Sequence, residues 1–171
     1  MTADDYTAAL QKWRAERDHF MARHYATPLS DDDIVAFDGL RYFSPDPALV
    51  FPVDLESKDG QVAIESSSGS VSDYSGAGTV VVPFAAGHVT MQVLHGEEGD
   101  LFIPFRDQTC GESTYNGGRY VGVERTDVGF VVDFNKATNP YCAYDPDFSC
   151  PLPPPENRLP FAVEAGELDY P

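Results

Sequence analysis

The chain has 171 residues, 42% of them hydrophobic and 12% aromatic, and 28 acidic residues against 11 basic ones give a formal net charge of −17. This length suits a single domain over residues 1–171, and the aromatic content argues against disorder. Lys and Arg form no cluster that could displace phosphate counterions, so the composition argues against a nucleic-acid partner.

The acidic residues are spread along the whole chain, with eighteen Asp and only three Lys. Such a surface suits a high-salt cytoplasm, where counterions screen the self-repulsion of the charge. We interpret the acidity as salt adaptation. The alternative, a DNA mimic or a tail that binds basic partners, would be expected to carry its acids in blocks.

Salt adaptation predicts that the melting temperature rises from low to molar KCl, because screening removes repulsion between carboxylates. A thermal denaturation series measures this, with sucrose as the control for stabilisation by solute exclusion alone. A melting temperature that is flat or falls with KCl would contradict the interpretation.

The N-terminus, MTADDYTAALQKW, has acids where a signal peptide needs cations. No apolar run approaches the ~18 residues that a membrane span requires. We therefore expect a soluble, cytoplasmic protein without a membrane partner.

Two helices are predicted before the strands begin. The first covers residues 2–25 within an N-terminal region 1–26, where Thr2 and Asp5 form a capping-box-like start and Tyr6, Leu10 and Trp13 share a face. Ser30 precedes three Asp residues and predicts the cap of a short second helix.

Residues 40–135 are predicted to form the β core. The segments are short, rich in β-branched and aromatic residues, and bounded by turn residues: LRYF, ALVFPVDL, QVAIES, GTVVVPF, HVTMQVL, DLFIPF, RYVGVE and GFVVDF. This pattern predicts a mainly β fold, an antiparallel sheet that closes toward a barrel or roll. Residues 136–171 hold seven prolines before residue 165 and predict an extended Pro-rich strap.

Several ordered motifs resemble one known family. These are GESTYNGGRYVGVE, DFNKATNPYCAY, CPLPPPENRL and AGE, with GLRYF and LFIPFRDQT upstream. They resemble the uncharacterised family called domain of unknown function 1684, over roughly residues 25–167. Cys110 stands where the family pattern has a small non-cysteine residue, and Ser113 looks like an insertion. The resemblance implies no reaction, cofactor or active site.

Four polar residues surround the glycine pair at 117–118, namely Asp107, Glu112, Tyr115 and Arg119. Two glycines permit positive φ and a close approach of the backbone to a ligand or to another segment. The planar fork of Arg119 suits a carboxylate or phosphate, on a ligand or on the protein itself. The group therefore predicts an anion-binding loop, or else a structural turn with Arg119 paired internally.

Asp133 lies in FVVDFN, a strand that is apolar on both faces, so we expect it to be covered and to need a cation or several donors. Arg119 shares a face with Asp133 if a loop of three or five residues joins their strands. A loop of two or four residues separates them. The turn RTDVG, which ends in Gly129, favours a loop of three or five residues, which predicts a structural Arg119–Asp133 ion pair.

The three cysteines, Cys110, Cys142 and Cys150, show no metal-binding spacing. Each is expected to be a buried small hydrophobe rather than a nucleophile. A Cys142–Cys150 disulfide is the alternative, disfavoured inside a cell. Four carboxylates form a further candidate set for Mg²⁺, Ca²⁺ or acid–base chemistry: Asp107, Glu112, Asp133 and Glu156.

These residues together predict a binding module with a polar pocket between the 105–119 loop, the 133–142 segment and the strap. Its ligand would be an anionic small molecule, and no particular cofactor or metal is predicted. The candidate ligand-binding residues are Asp107, Glu112, Tyr115, Gly117, Gly118, Arg119, Asp133, Asn135, Asn139, Tyr141, Cys142, Glu156 and Asn157. The rival is an enzyme with Asp133 or Glu112 as general base and Tyr115 or Cys142 assisting. A purely structural or interaction protein is the third possibility.

Overall fold

Seven antiparallel strands form one sheet that curves into a half-barrel in the computed structural model, which describes residues 1–171. The predicted mainly β fold is confirmed. The spatial order is β1-β7-β6-β5-β4-β3-β2. The strands are β1 (Val50–Val53), β2 (Leu55–Glu65), β3 (Val71–Phe84), β4 (Gly87–His95), β5 (Leu101–Phe105), β6 (Arg119–Thr126) and β7 (Gly129–Asp133).

The core lies on the concave side of this sheet. Alternate residues of each central strand are buried there, as in β6, where Val121 and Val123 alternate with outward-facing residues. Phe134 lies at its centre, with ring centroids 5.2 to 6.0 Å from those of Phe51, Phe84 and Phe105. Tilted and edge-on contacts of this kind fix the relative positions of strands from both ends of the sheet.

Two helices precede the sheet, α1 (Ala3–Arg23) and α2 (Asp31–Ala36). Both predicted caps are confirmed, since the Thr2 hydroxyl accepts from the Asp5 amide and the Ser30 hydroxyl from the Asp33 amide. Neither helix has the length and apolar character needed to span a membrane. Helix α1 buries Leu10 and Met21 completely.

The predicted Arg119–Asp133 ion pair is wrong, because the β6–β7 loop has two residues. Thr126 pairs with Gly129 and Val123 with Val132, so opposite residues sum to an odd number. Gly129 belongs to the ladder and not to the loop. Arg119 and Asp133 therefore point to opposite faces of the sheet.

Residues 137–171, the C-terminal segment, form no strand of the sheet. Short 3₁₀ turns interrupt it at Tyr141–Ala143 and Pro155–Asn157. Isolated bridges join it to other parts of the chain, between Ser66 and Pro151, Arg106 and Arg158, and Tyr42 and Glu167. The continuous extended strap predicted from the prolines is not confirmed.

Candidate functional site

Arg119 is fully buried, and its guanidinium serves the protein itself. Nη2 lies 3.5 Å from Asp107 Oδ2 and donates to the Val163 carbonyl at 3.0 Å. Nη1 donates to the Ala165 carbonyl. Burial lowers the pKa of Arg119, while the Asp107 carboxylate acts in the opposite direction. The residue ties strand β6 to the C-terminal segment, with no exposed face for a ligand anion.

Asp107 completes this anchor from the loop after β5. Its carboxylate accepts from the Thr109 hydroxyl at 2.8 and 2.9 Å and from the Val163 amide at 2.6 Å. Gly118, which precedes Arg119, has φ 92°, and a Cβ there would stand 2.6 Å from the Phe105 carbonyl oxygen. The glycine thus permits close approach of the chain to itself. Glu112, in the same loop, is exposed.

Asp133 and Asn135 join the end of β7 to helix α1 and to the loop at Asp46. The Asp133 carboxylate accepts from the Tyr6 hydroxyl at 2.9 Å and from the amide and side chain of Asn135 at 3.0 Å. Asn135 is fully buried and exchanges hydrogen bonds of 2.7 and 2.8 Å with the backbone of Asp46. Asp133 therefore obtains the several donors expected of it, but from Tyr6 and Asn135 and not from a cation.

Asn157 is a second fully buried amide that joins segments. It accepts from the Gln92 amide at 2.7 Å and donates to the carbonyls of Gln92 and Pro104 at 2.9 Å. These bonds fasten the C-terminal segment to β4 and β5. Its neighbour Glu156 is exposed.

The four predicted carboxylates do not converge. Asp107 is paired with Arg119, Asp133 lies on the opposite face of the sheet, and Glu112 and Glu156 are exposed. No three His, Cys, Asp or Glu side chains are grouped closely enough to hold a metal ion. The predicted carboxylate set is therefore wrong as a single site.

Glu167 was not among the predicted site residues, although it is 1% exposed and accepts four hydrogen bonds. Two come from the amide and side chain of Asn139, at 3.0 and 3.2 Å, one from Arg17 at 2.9 Å and one from the Tyr144 hydroxyl. Burial and the Glu167 charge raise the pKa of Tyr144. The AGE motif around Glu167 was a signal, but without its partners nothing indicated burial.

Beside Asn139, a groove of about 720 Å³ runs between helix α1, the outer face of β6 and the C-terminal segment. Its aromatic walls are Trp13, Phe102, Tyr120, Tyr141 and Phe148. They include two ring pairs, Phe102–Tyr120 with centroids 5.1 Å apart and Tyr141–Phe148 at 5.4 Å. A larger hollow of about 940 Å³ over β1 and β3 contains none of the predicted site residues.

The groove is also acidic. Four carboxylates line it, from Glu97, Glu98, Asp100 and Glu124, against one ammonium group, Lys136. Lys136 Nζ lies 3.3 Å from Glu124 Oε1 and 5.9 Å from the centroid of the Trp13 ring. The groove therefore already holds one ammonium group between a carboxylate and an indole face.

Two more of the predicted residues, Tyr115 and Cys142, lie next to Cys150 at the edge of the groove. Tyr115 Oη donates to Cys142 Sγ at 3.5 Å, and the Cys142 amide donates to Cys150 Sγ at 3.3 Å. Cys150 lines the groove, while Cys110 lies apart, 3.5 Å from Asp107 Oδ1. Of the thirteen candidates, Asn139 and Tyr141 line the groove and Tyr115 and Cys142 border it.

Most of the groove was missed in the sequence. Trp13 lies on a helix whose apolar periodicity predicted packing against the core and no binding site. The acids at 97–100 lie in a turn, and acids are common throughout this chain. Tyr120 alternates outward on β6, which was a usable signal once the strand was predicted. The walls come from segments far apart in sequence, so their proximity had no local signal.

Comparison with known proteins gives a family and no activity. No curated protein matches the chain. An uncharacterised protein of Haloarcula marismortui, solved by solution NMR, is 35% identical to this chain and superimposes with a TM-score of 0.71. The match covers 96% of this chain and 95% of that protein. The model of a family described as protein of unknown function (DUF1684) matches residues 35–168, which confirms the resemblance seen in the motifs. The chain belongs to the DUF1684 family of uncharacterised proteins.

Proposed function

We propose that this protein binds a small organic cation with a flat or apolar body in the groove beside Asn139 and Tyr141. The observation that carries the proposal is the combination of five aromatic side chains with four carboxylates in one concave surface. Aromatic faces attract cations, and carboxylates add charge selectivity. Lys136 supports this chemistry, because its own ammonium group lies between Glu124 and Trp13.

The anionic ligand expected from the sequence lacks comparable support. Its two recognition elements were Arg119, which is fully buried, and the Gly117–Gly118 backbone, where Gly118 packs against Phe105 and Pro153. An anion in the groove would face four carboxylates and a single Lys. The acid–base enzyme also lacks structural support. Of its two candidate bases, Asp133 is covered by α1 and Glu112 is exposed in its loop.

Trp13 is the only tryptophan in the chain, so its fluorescence reports on the groove directly. We expect benzyltrimethylammonium to change that fluorescence saturably and phenylacetate, a similarly sized anion, to have no effect at equal ionic strength. Replacing Tyr141 by Ala should weaken binding of the cation about tenfold, the equivalent of ~1.4 kcal/mol. Glu124→Gln should weaken binding of the cation by a smaller factor than Tyr141→Ala. That factor should shrink further at high salt, because salt screens the charge of Glu124.

Tyr25→Ala is the matched control, since Tyr25 is 96% exposed and lies outside the groove. It should leave the fluorescence titration unchanged. Equal responses to the cation and the anion, or equal affinities in the Tyr141→Ala and Tyr25→Ala variants, would refute the proposal. Native mass spectrometry of the protein from its own host would then identify any retained natural ligand.

A further inference from the structure

Two sulfur atoms and a phenol meet where the 3₁₀ turn Tyr141–Ala143 approaches Cys150. The Cys142 amide donates to Cys150 Sγ at 3.3 Å, and Tyr115 Oη donates to Cys142 Sγ at 3.5 Å. Cys142 is partly exposed and Cys150 is 7% exposed. The more exposed cysteine thus has a second, buried sulfur within hydrogen-bond distance of its own amide.

The hydrogen bonds around the pair favour a thiolate on Cys142. The neighbouring Cys150, Tyr115 and Ser67 side chains lower the pKa of Cys142 to about 6, against the opposing effect of burial. The Cys142 side chain and burial raise the pKa of Cys150. Near neutral pH, Cys142 is therefore the nucleophile and Cys150 keeps its proton.

The other titratable groups that face the pair are Tyr115, Tyr120 and, through Tyr115, Asp169. Burial raises the pKa of both tyrosines, so both remain protonated near neutral pH. Tyr115 is therefore a hydrogen-bond donor to the thiolate over the working range. Asp169 adds a negative charge near Tyr115 that favours the same protonated phenol.

The backbone holds the two cysteines differently. Cys150 is fixed to the β2–β3 turn, because its amide donates to Ser67 Oγ at 3.0 Å and its carbonyl accepts from the Ser67 amide at 2.9 Å. Residues 146–149, between the cysteines, are exposed. Closure of an S–S bond requires Cys142 to approach a Cys150 that is held by the turn.

We propose that Cys142 and Cys150 form a redox-active dithiol that exchanges with low-molecular-weight disulfides. The Cys142 thiolate attacks one sulfur of R–S–S–R, the S–S bond breaks, RS⁻ leaves and a mixed disulfide forms on Cys142. Cys150 loses its proton to solvent and attacks the Cys142 sulfur, which displaces the second RS⁻. Two electrons pass from the protein to the substrate, giving a Cys142–Cys150 disulfide and, after protonation, two RSH.

The test uses hydroxyethyl disulfide, a neutral probe, with the reduced Cys110→Ser protein so that only the pair reacts. We expect the intact mass to fall by two hydrogens and peptide mapping to find a Cys142–Cys150 cross-link. Adding Cys150→Ser should stop the reaction at a mixed disulfide on Cys142. Adding Cys142→Ser should slow the reaction at least about tenfold, since the remaining thiol is buried and burial raises its pKa.

A second readout separates reactivity from mere proximity. The rate of iodoacetamide alkylation in the Cys110→Ser protein should rise with pH through a midpoint at the Cys142 pKa of about 6 and then level off. Tyr115→Phe removes one donor to the thiolate and should move this midpoint upward, with an unchanged melting temperature as the folding check. Failure to form the cross-link, or an alkylation midpoint near the ordinary thiol pKa, would overturn the proposal. Neither measurement uses a groove ligand, so the outcome is independent of the proposed function.

Discussion

Replacing Arg119 by Met should lower the free energy of unfolding by about 3–5 kcal/mol, the range found when one partner of a buried ion pair is removed. The substitution leaves the Asp107 carboxylate without its cation in a buried position. It also leaves the carbonyls of Val163 and Ala165 without a donor. Urea denaturation monitored by circular dichroism measures the loss.

Arg125→Met is the matched control, because Arg125 lies on the same strand but is exposed. We expect it to change the free energy of unfolding by about 0.5 kcal/mol or less. The double variant Arg119→Met with Asp107→Asn should be less destabilised than the sum of the single changes, since the uncompensated charge is gone. A loss below about 1 kcal/mol for Arg119→Met would show that the guanidinium does not anchor the C-terminal segment.

The second large effect is expected at Glu167. Replacement by Gln keeps the shape but removes the charge and puts an NH₂ group among four donors, from Arg17, Asn139 and Tyr144. A hydrogen bond to a charged group contributes about 1.5–3 kcal/mol, so we expect a loss of roughly 2–4 kcal/mol in the free energy of unfolding. Urea denaturation again measures it.

Glu164 supplies the control, three residues earlier in the same segment and exposed. Glu164→Gln should have a stability within about 0.5 kcal/mol of the native protein. Amide hydrogen exchange adds a local readout, because the Asn139 amide donates directly to Glu167 at 3.0 Å. If Glu167→Gln leaves both the stability and the protection of that amide unchanged, the cluster has no stabilising role.

Local features were predicted well because their causes lie within a few residues. The Thr2–Asp5 capping box and the Ser30 cap involve side chains three residues from the amides they bind. Strand composition and turn residues likewise gave the mainly β fold. The ionic partner of Arg119 was predicted wrongly, because it depended on whether Gly129 ended a loop or began a ladder.

The candidate site was likewise predicted only in part. The motif-rich stretch from 105 to 157 was predicted to build a ligand pocket, and its residues Asp107, Arg119 and Asn157 are instead buried and join segments of the chain. The same polar residue types serve to join buried segments and to bind ligands, so the sequence could not distinguish the two roles. The two candidates differ in burial: Arg119 is fully buried, whereas Tyr141 is 37% exposed in the groove.

The sequence by itself determined the capped helices, the antiparallel strands, the acidic charge and the family. The helices and strands follow from hydrogen-bonding and packing preferences that repeat every two to four residues. The charge is a sum over residues, and the family follows from ordered motifs. Only the tertiary structure decided which charges meet, that Glu167 is buried, and that Trp13, Glu124 and Tyr141 share one groove. These contacts join residues up to 150 positions apart, as between Arg17 and Glu167, and depend on strand register and chain reversal. No local pattern encodes that geometry.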